Sequence, residues 1–236
     1  MPFERCIRVI SLPRGGHHAV KKSIFKTFTN AKSHNTVHKN GVAASKKDFL
    51  ALQELQKTEI FSCYVYAMEN THINRIGEYK IPDMDFPKLE TVVVIRDPYN
   101  WVASMLKGSR FNKSWHNVGQ GVINQYKCYL RQALEIENYF IPETPIVVSY
   151  TSFVADRDYR VKIGSCLDLP KEPVIPDDIF QSSFVGTEKA KSGFNERWKS
   201  FLKNQQFLQV FRRDSELVKM SDEFFKFNPL RERGLL

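Results

Sequence analysis

The chain has 236 residues, enough for one large domain or two small ones, and 42% of them are hydrophobic, which is ordinary for a globular protein with a core of its own. A net charge of +9 and a pI of about 9.3 favour anionic partners such as nucleotides, acidic glycans, nucleic acid or anionic lipid. No run of about 18 apolar residues occurs, which excludes a transmembrane helix, and no Lys/Arg-rich tract or Arg/aromatic repeat occurs, which argues against dedicated nucleic-acid binding.

Residues 6–12 are apolar and β-branched and predict a first strand. Pro13-Arg14-Gly15-Gly16 then turns the chain into a predicted helix over 17–29. A strand, a glycine turn and a helix start form a phosphate cradle. The glycines let the backbone approach an anion, the N–H groups of the first helical turn point at it, and the helix dipole adds attraction. Arg14 can bind the same anion in a bidentate way. Residues 30–48, rich in Lys, Asn and His, read as loop, and Asp48 caps a short helix running to about 57. A second strand is expected over 59–67, then a long connection over 69–90. Thr91-Val92-Val93-Val94-Ile95 reads as a buried parallel strand. Asp97-Pro98 opens a helix to about 107, with Asp97 as its cap and Pro98 at the first helical position. Further on, the pattern predicts a long amphipathic helix over 118–140, a strand over 145–150, a helix over 158–168, a Pro-rich linker over 170–176, and helices over 195–211 and 214–226. Alternating strands and helices imply one α/β domain over 1–236, a parallel sheet with right-handed crossovers and a helical C-terminal part.

Cys6, Cys63, Cys128 and Cys166 are scattered without paired spacing, which predicts reduced thiols, a cytoplasmic location and no zinc site. The N-terminus has an early acid and passes straight into a strand, unlike a signal peptide. His17-His18 are adjacent and lack a helical ligand spacing, so no metal is expected.

The block Thr91–Ser104 carries a resemblance. A buried strand ending in Arg96-Asp97-Pro98, with Ser104 eight positions after Arg96, resembles the 3′-phosphate-binding block of sulfotransferases, enzymes that use 3′-phosphoadenosine 5′-phosphosulfate. Pro13-Arg14-Gly15-Gly16-His17-His18 resembles their 5′-phosphosulfate loop, and Val147-Val148-Ser149-Tyr150-Thr151-Ser152-Phe153 their third nucleotide-binding strand. Ser182-Ser183-Phe184 through Arg197-Trp198 resembles the C-terminal segment that closes over the nucleotide. The blocks occur in the family's order. The resemblance implies a P-loop-like fold and a nucleotide held by Arg14, Gly15, Gly16, His17, His18 and Ala19 at its 5′ end. Arg96 and Ser104 would hold the 3′-phosphate, with Tyr150 and Arg197 further contacts. Trp101 is expected in the core rather than on adenine. The usual lysine of the loop is Arg14 here, and His17 or His18 replaces a hydroxyl donor.

Sulfuryl transfer is an in-line displacement, catalysed by positioning and electrostatic stabilisation, and a base must take the acceptor's proton. The family places a His or Glu just after the second strand, which makes Glu69 the first candidate here and His72 the second. Arg14 and His17 are the expected groups at the sulfuryl end. Two other functions compete. A P-loop kinase is one, but Lys21 stands where the second glycine of G-x-x-x-x-G-K-S belongs. A non-catalytic nucleotide- or glycan-binding homologue is the other. The acceptor is expected to be a small molecule or glycan, anionic ones included, because Arg110, Lys113, Trp115 and His116 would border its pocket.

Overall fold

The computed structural model describes residues 4–39, 42–43, 62–69, 72–78, 88–109, 118–140, 143–176 and 196–236. The helix expected over 48–57 lies outside them, as do the strand start at 59–61, Arg110–His116 and Ser182–Phe184. The chain divides into two compact units, one of Met1–Val94 with Tyr139–Ile179 and one of Ile95–Asn138 with Phe180–Leu236.

The first unit is built on a sheet. Its central strand, β1 (Cys6–Ser11), is buried at every position because neighbours flank it on both sides. The other strands are β2 (Ala31–Lys39), β3 (Val42–Ala43), β4 (Cys63–Glu69), β5 (Leu89–Ile95) and β6 (Ile146–Ser149), in the order β3-β2-β4-β1-β5-β6. β1 pairs in parallel with β4 and β5, β2 pairs in parallel with β4, and the two-residue β3 runs antiparallel to β2. This bears out the α/β class and the parallel sheet flanked by helices. Among the described residues, the helices of this unit are α1 (His17–Phe25) and, after β6, α4 (Tyr150–Ala155) and α5 (Arg157–Cys166); α2 (Pro98–Ser109) and α3 (Gln120–Ala133) fall between β5 and β6 in the chain and belong to the second unit.

One polar residue interrupts the apolar run of β1. Arg8 is buried, and its register partner on β5 is Thr91. The guanidinium donates to Thr91 Oγ1 at 2.8 and 3.1 Å and to the Glu143 carboxylate at 3.2 Å, so the charge is paired where a bare guanidinium would be costly. All four thiols are free; burial pushes Cys63 up to about 12 and Cys6 well above its ordinary value, so both stay protonated in the sheet.

Four expectations for this unit differ from the structure. Residues 30–48 do not read through as loop, because 31–39 form β2. Its backbone pairs with β4 from Ala31↔Cys63 to Val37↔Glu69, and that ladder, rather than an apolar pattern, makes the strand. Secondly, the strand expected over 59–67 ends at Glu69. Glu69 is therefore a strand residue, opposite Ser11 of β1 and Val37 of β2, and not part of a loop. The helix expected over 17–29 stops at Phe25, and the strand expected to 150 stops at Ser149, whose hydroxyl accepts the Ser152 N–H and so caps α4.

The second unit is helical: α2 (Pro98–Ser109), α3 (Gln120–Ala133), a 3₁₀ turn over Arg197–Phe201, α6 (Gln205–Arg213) and α7 (Ser215–Phe225). The helix expected over 195–211 is thus two elements. Asn204 accepts the Phe207 N–H at 2.9 Å and restarts the helix; Asp214 does the same for Leu217 at 2.9 Å. α3 ends well before 140, with Glu135 in the left-handed region at φ 58°. Aromatic pairs fill this core. Trp101 stacks on Tyr126 at 4.5 Å between centroids and Tyr99 on Phe211 at 4.7 Å; such pairs add about 0.5–1.5 kcal/mol each to the area they bury. Trp101 is a core residue, as expected.

Candidate anion-binding and catalytic site

Parallel strands bring their carboxyl ends to one edge, which is where open α/β sheets bind ligands. At that edge β1 passes into the Pro13–Gly16 turn, and neither glycine of the turn has room for a side chain. A Cβ on Gly15 would lie 2.8 Å from the Leu12 carbonyl oxygen. On Gly16 it would lie 2.2 Å from the Tyr150 ring, and Gly16 also adopts φ +98°, where L-residues are strained. Gly15 N–H closes the turn onto Leu12 O at 3.0 Å. Arg14 itself holds φ 64°, a conformation a non-glycine residue adopts only when its surroundings impose it.

Gly16 is the N-cap of α1 and has no side chain to cap the helix. The N–H groups of His17 and His18 therefore face outward from the first turn, in the arrangement that receives anions. Ala19 N–H already bonds Gly16 O at 3.1 Å. Tyr150, at the start of α4, is buried with its ring against Gly16, so within this unit it shapes the loop.

His17 is buried and its role is set by its neighbour. The Ser11 hydroxyl donates its single proton to Leu12 O at 3.0 Å. The Ser11 oxygen lies 2.7 Å from His17 Nδ1; with its proton on Leu12 O it accepts from Nδ1–H and leaves the Nε2 lone pair free, and in the other tautomer it donates to Nδ1. Burial first, then the charges of His18 and Lys21, hold this imidazole well below its usual range. Ser11 had no sequence signal beyond its place at the end of β1.

Glu69 is half-buried at the end of β4. Burial pushes its carboxyl up, while the Arg14 N–H it accepts and the Arg14 charge pull it back. The β4 register and this hydrogen bond fix a carboxylate against the glycine turn. Nitrogens of His17 and His18 and a carboxylate oxygen of Glu69 lie within 4.8 Å of one another. His72 precedes the 3₁₀ turn Ile73–Glu78 and is not a member of that cluster.

In the second unit, Arg96 follows β5 and is buried, and Tyr126 Oη donates to its carbonyl at 2.5 Å. Asp97 caps α2: its Oδ1 accepts the Asn100 N–H at 2.9 Å, and the Asn100 amide bonds the same carboxylate at 3.1 and 3.2 Å. Asp97 is thereby a structural cap, as expected. Ser104, buried on α2, accepts a hydrogen bond from Arg197 Nη1 at 2.8 Å. Residues 93 positions apart in sequence form one polar pair, with a buried guanidinium, Arg96, in the same unit.

No family model and no curated protein matches the sequence. The solved structures that resemble the chain include two sulfotransferases. The sulfotransferase domain of the Synechococcus PCC 7002 olefin synthase is 12% identical, with a TM-score of 0.49 over 95% of each chain. Mouse sulfotransferase SULT7A1 complexed with PAP is 13% identical, with a TM-score of 0.47 over 92% of this chain and 88% of that one. Both are sulfotransferases, and the likeness is one of fold.

Proposed function

We propose that the protein is a sulfotransferase, acting as a single functional domain over 1–236, that moves a sulfuryl group from 3′-phosphoadenosine 5′-phosphosulfate to a hydroxyl or amine of a small-molecule or glycan acceptor. The observation that carries this reading is the pairing of an anion cradle with a fixed carboxylate: the side-chain-free turn at Gly15 and Gly16, with Glu69 bonded to the Arg14 N–H. The turn suits an oxyanion because both glycines are packed against Leu12, Ser11 and Tyr150 while the start of α1 has no side-chain cap for its first N–H groups. Arg14 and the N–H groups of Gly16, His17 and His18 would hold the 5′ end. Arg96, with the Ser104–Arg197 pair, would hold the 3′-phosphate. When bound, the nucleotide supplies the sulfuryl group and a phosphate leaving group.

The chain's own residues do the rest. Arg14 and the helix dipole stabilise the charge on the equatorial oxygens. Glu69, its carboxyl raised by burial, accepts the proton of the attacking hydroxyl or amine. Four free thiols suit a reducing compartment, which supports a cytoplasmic site of action.

A thermal-shift experiment tests the reading. 3′-Phosphoadenosine 5′-phosphate should raise the melting temperature far more than AMP at equal concentration, by mass action on the folded state. Equal shifts with the two nucleotides, or a larger shift with Mg-ATP, refute it in favour of a kinase-like site.

A further inference from the structure

We propose that His17, His18 and Glu69 form a three-ligand site for a divalent transition-metal ion of the zinc type, with its fourth position open beside the glycine turn. This goes beyond the sulfotransferase reading and is tested without it; with the ion bound, Glu69 is a ligand and does not act as the general base.

Two imidazoles and one carboxylate are a ligand set that suits zinc and its neighbours rather than magnesium or calcium, which prefer all-oxygen shells. Three protein ligands with a vacant fourth direction are the pattern of reactive rather than structural metal sites. The ligand atoms already lie within 4.8 Å of one another. A tetrahedral ion with bonds of about 2.0–2.1 Å needs them about 3.4 Å apart, so the set must close by up to roughly an ångström and a half, and the exposed His18 ring has room to move. The rings of His17 and His18 stand 4.0 Å apart and tilted by 43°, an orientation from which two nitrogens can converge on one point.

The surroundings are arranged as metal sites require. A ligating histidine usually donates its second ring N–H to a fixed acceptor, which selects the tautomer that presents a lone pair to the metal. Ser11 is placed to do this to His17: its oxygen lies 2.7 Å from Nδ1 and, with its proton on Leu12 O at 3.0 Å, accepts from Nδ1–H. Glu69 is held in turn by the Arg14 N–H. The ligands come from α1 and β4, regular elements joined through the β1–β4 ladder, so the set is anchored by secondary structure. The adjacency of His17 and His18 gave no ligand spacing in sequence because the third ligand comes from a strand 51 positions after His18. The cationic neighbours Arg14 and Lys21 weaken the hold on a cation and favour an anion at the open position.

The test is a cobalt titration of tag-free, metal-stripped protein without nucleotide. One equivalent of Co²⁺ should develop the intense visible bands of a four-coordinate ion, and one equivalent of Zn²⁺, but not Mg²⁺, should abolish them. His18 is exposed, so His18→Gln leaves the fold intact and should weaken cobalt binding at least about tenfold, as should Glu69→Gln; Ser11→Ala, acting through the His17 tautomer, should weaken it about 10–100-fold. A folded protein that gives only the pale spectrum of six-coordinate cobalt overturns the proposal. Undiminished binding in the His18→Gln and Glu69→Gln proteins overturns it too. The nucleotide thermal shift is read separately, so either result leaves the other intact.

Discussion

Gly16→Ala gives the sharpest test of the cradle. The residue sits at φ +98°, where an L-side chain costs about 1–2 kcal/mol, and its new methyl would lie 2.2 Å from the Tyr150 ring. Tyr150 is buried at the start of α4 and has little room to retreat, so overpacking adds about 1–3 kcal/mol. The sum, about 2–5 kcal/mol, corresponds to a melting temperature lower by roughly 5–15 °C in a chain of this length. Urea unfolding of the single variants and of the Gly16→Ala/Tyr150→Ala double variant separates the two contributions. Tyr150→Ala alone leaves a cavity and destabilises by about 3–5 kcal/mol, but in the double variant the methyl enters that space. The double variant should therefore be more stable than the sum of the singles by about 1–3 kcal/mol, leaving the backbone strain and the cost of removing the Tyr150 ring. A Gly16→Ala protein as stable as wild type refutes the reasoning. So does strict additivity in the double variant, which would mean that Tyr150 does not bound the turn.

Arg96→Ala should raise the dissociation constant for 3′-phosphoadenosine 5′-phosphate about 10–100-fold, from the loss of a charge-assisted hydrogen bond worth about 1.5–3 kcal/mol. An unchanged affinity by calorimetry would assign that block another task. Glu69→Gln should lower turnover by about 10²–10⁴-fold with nucleotide affinity nearly unchanged. If His72→Ala abolishes sulfuryl transfer and Glu69→Gln does not, the base is His72. In the helical unit, Glu216 accepts from Lys127 at 2.9 Å and Arg131 at 2.6 Å, and these bonds hold its carboxyl below its usual range. A depressed carboxylate contributes stability above its unfolded value of about 4.3, lost as pH falls through the lower folded value. Because Glu216 is half exposed, Glu216→Gln should cost only about 0.2–1 kcal/mol at neutral pH and nothing in acid. A cost that persists in acid shows a packing role instead.

The sequence by itself determined what depends on local chemistry. An apolar run, continuous over Val92–Ile95 of β5 and broken at Arg8 in β1, marks both strands because both are covered on two faces, and Gly15-Gly16 marks the turn because only glycine fits there. Asp97-Pro98 marks the start of α2 because a cap and a fixed φ act within one helical turn. What only the tertiary structure decided depends on partners far away in the chain. β2 is polar in composition and becomes a strand through the ladder it shares with β4. Glu69 becomes a fixed carboxylate because the β1–β4 register sets it opposite Ser11. The Arg197–Ser104 bond joins two positions that no local pattern connects. The tautomer of His17 rests on the direction of one hydroxyl proton in Ser11, which the order of residues does not encode until β1 has ended and α1 has turned back over it. Short-range sterics and capping act within a few residues and so are written in the sequence; strand pairing and side-chain convergence act across tens of residues and exist only once the chain has folded.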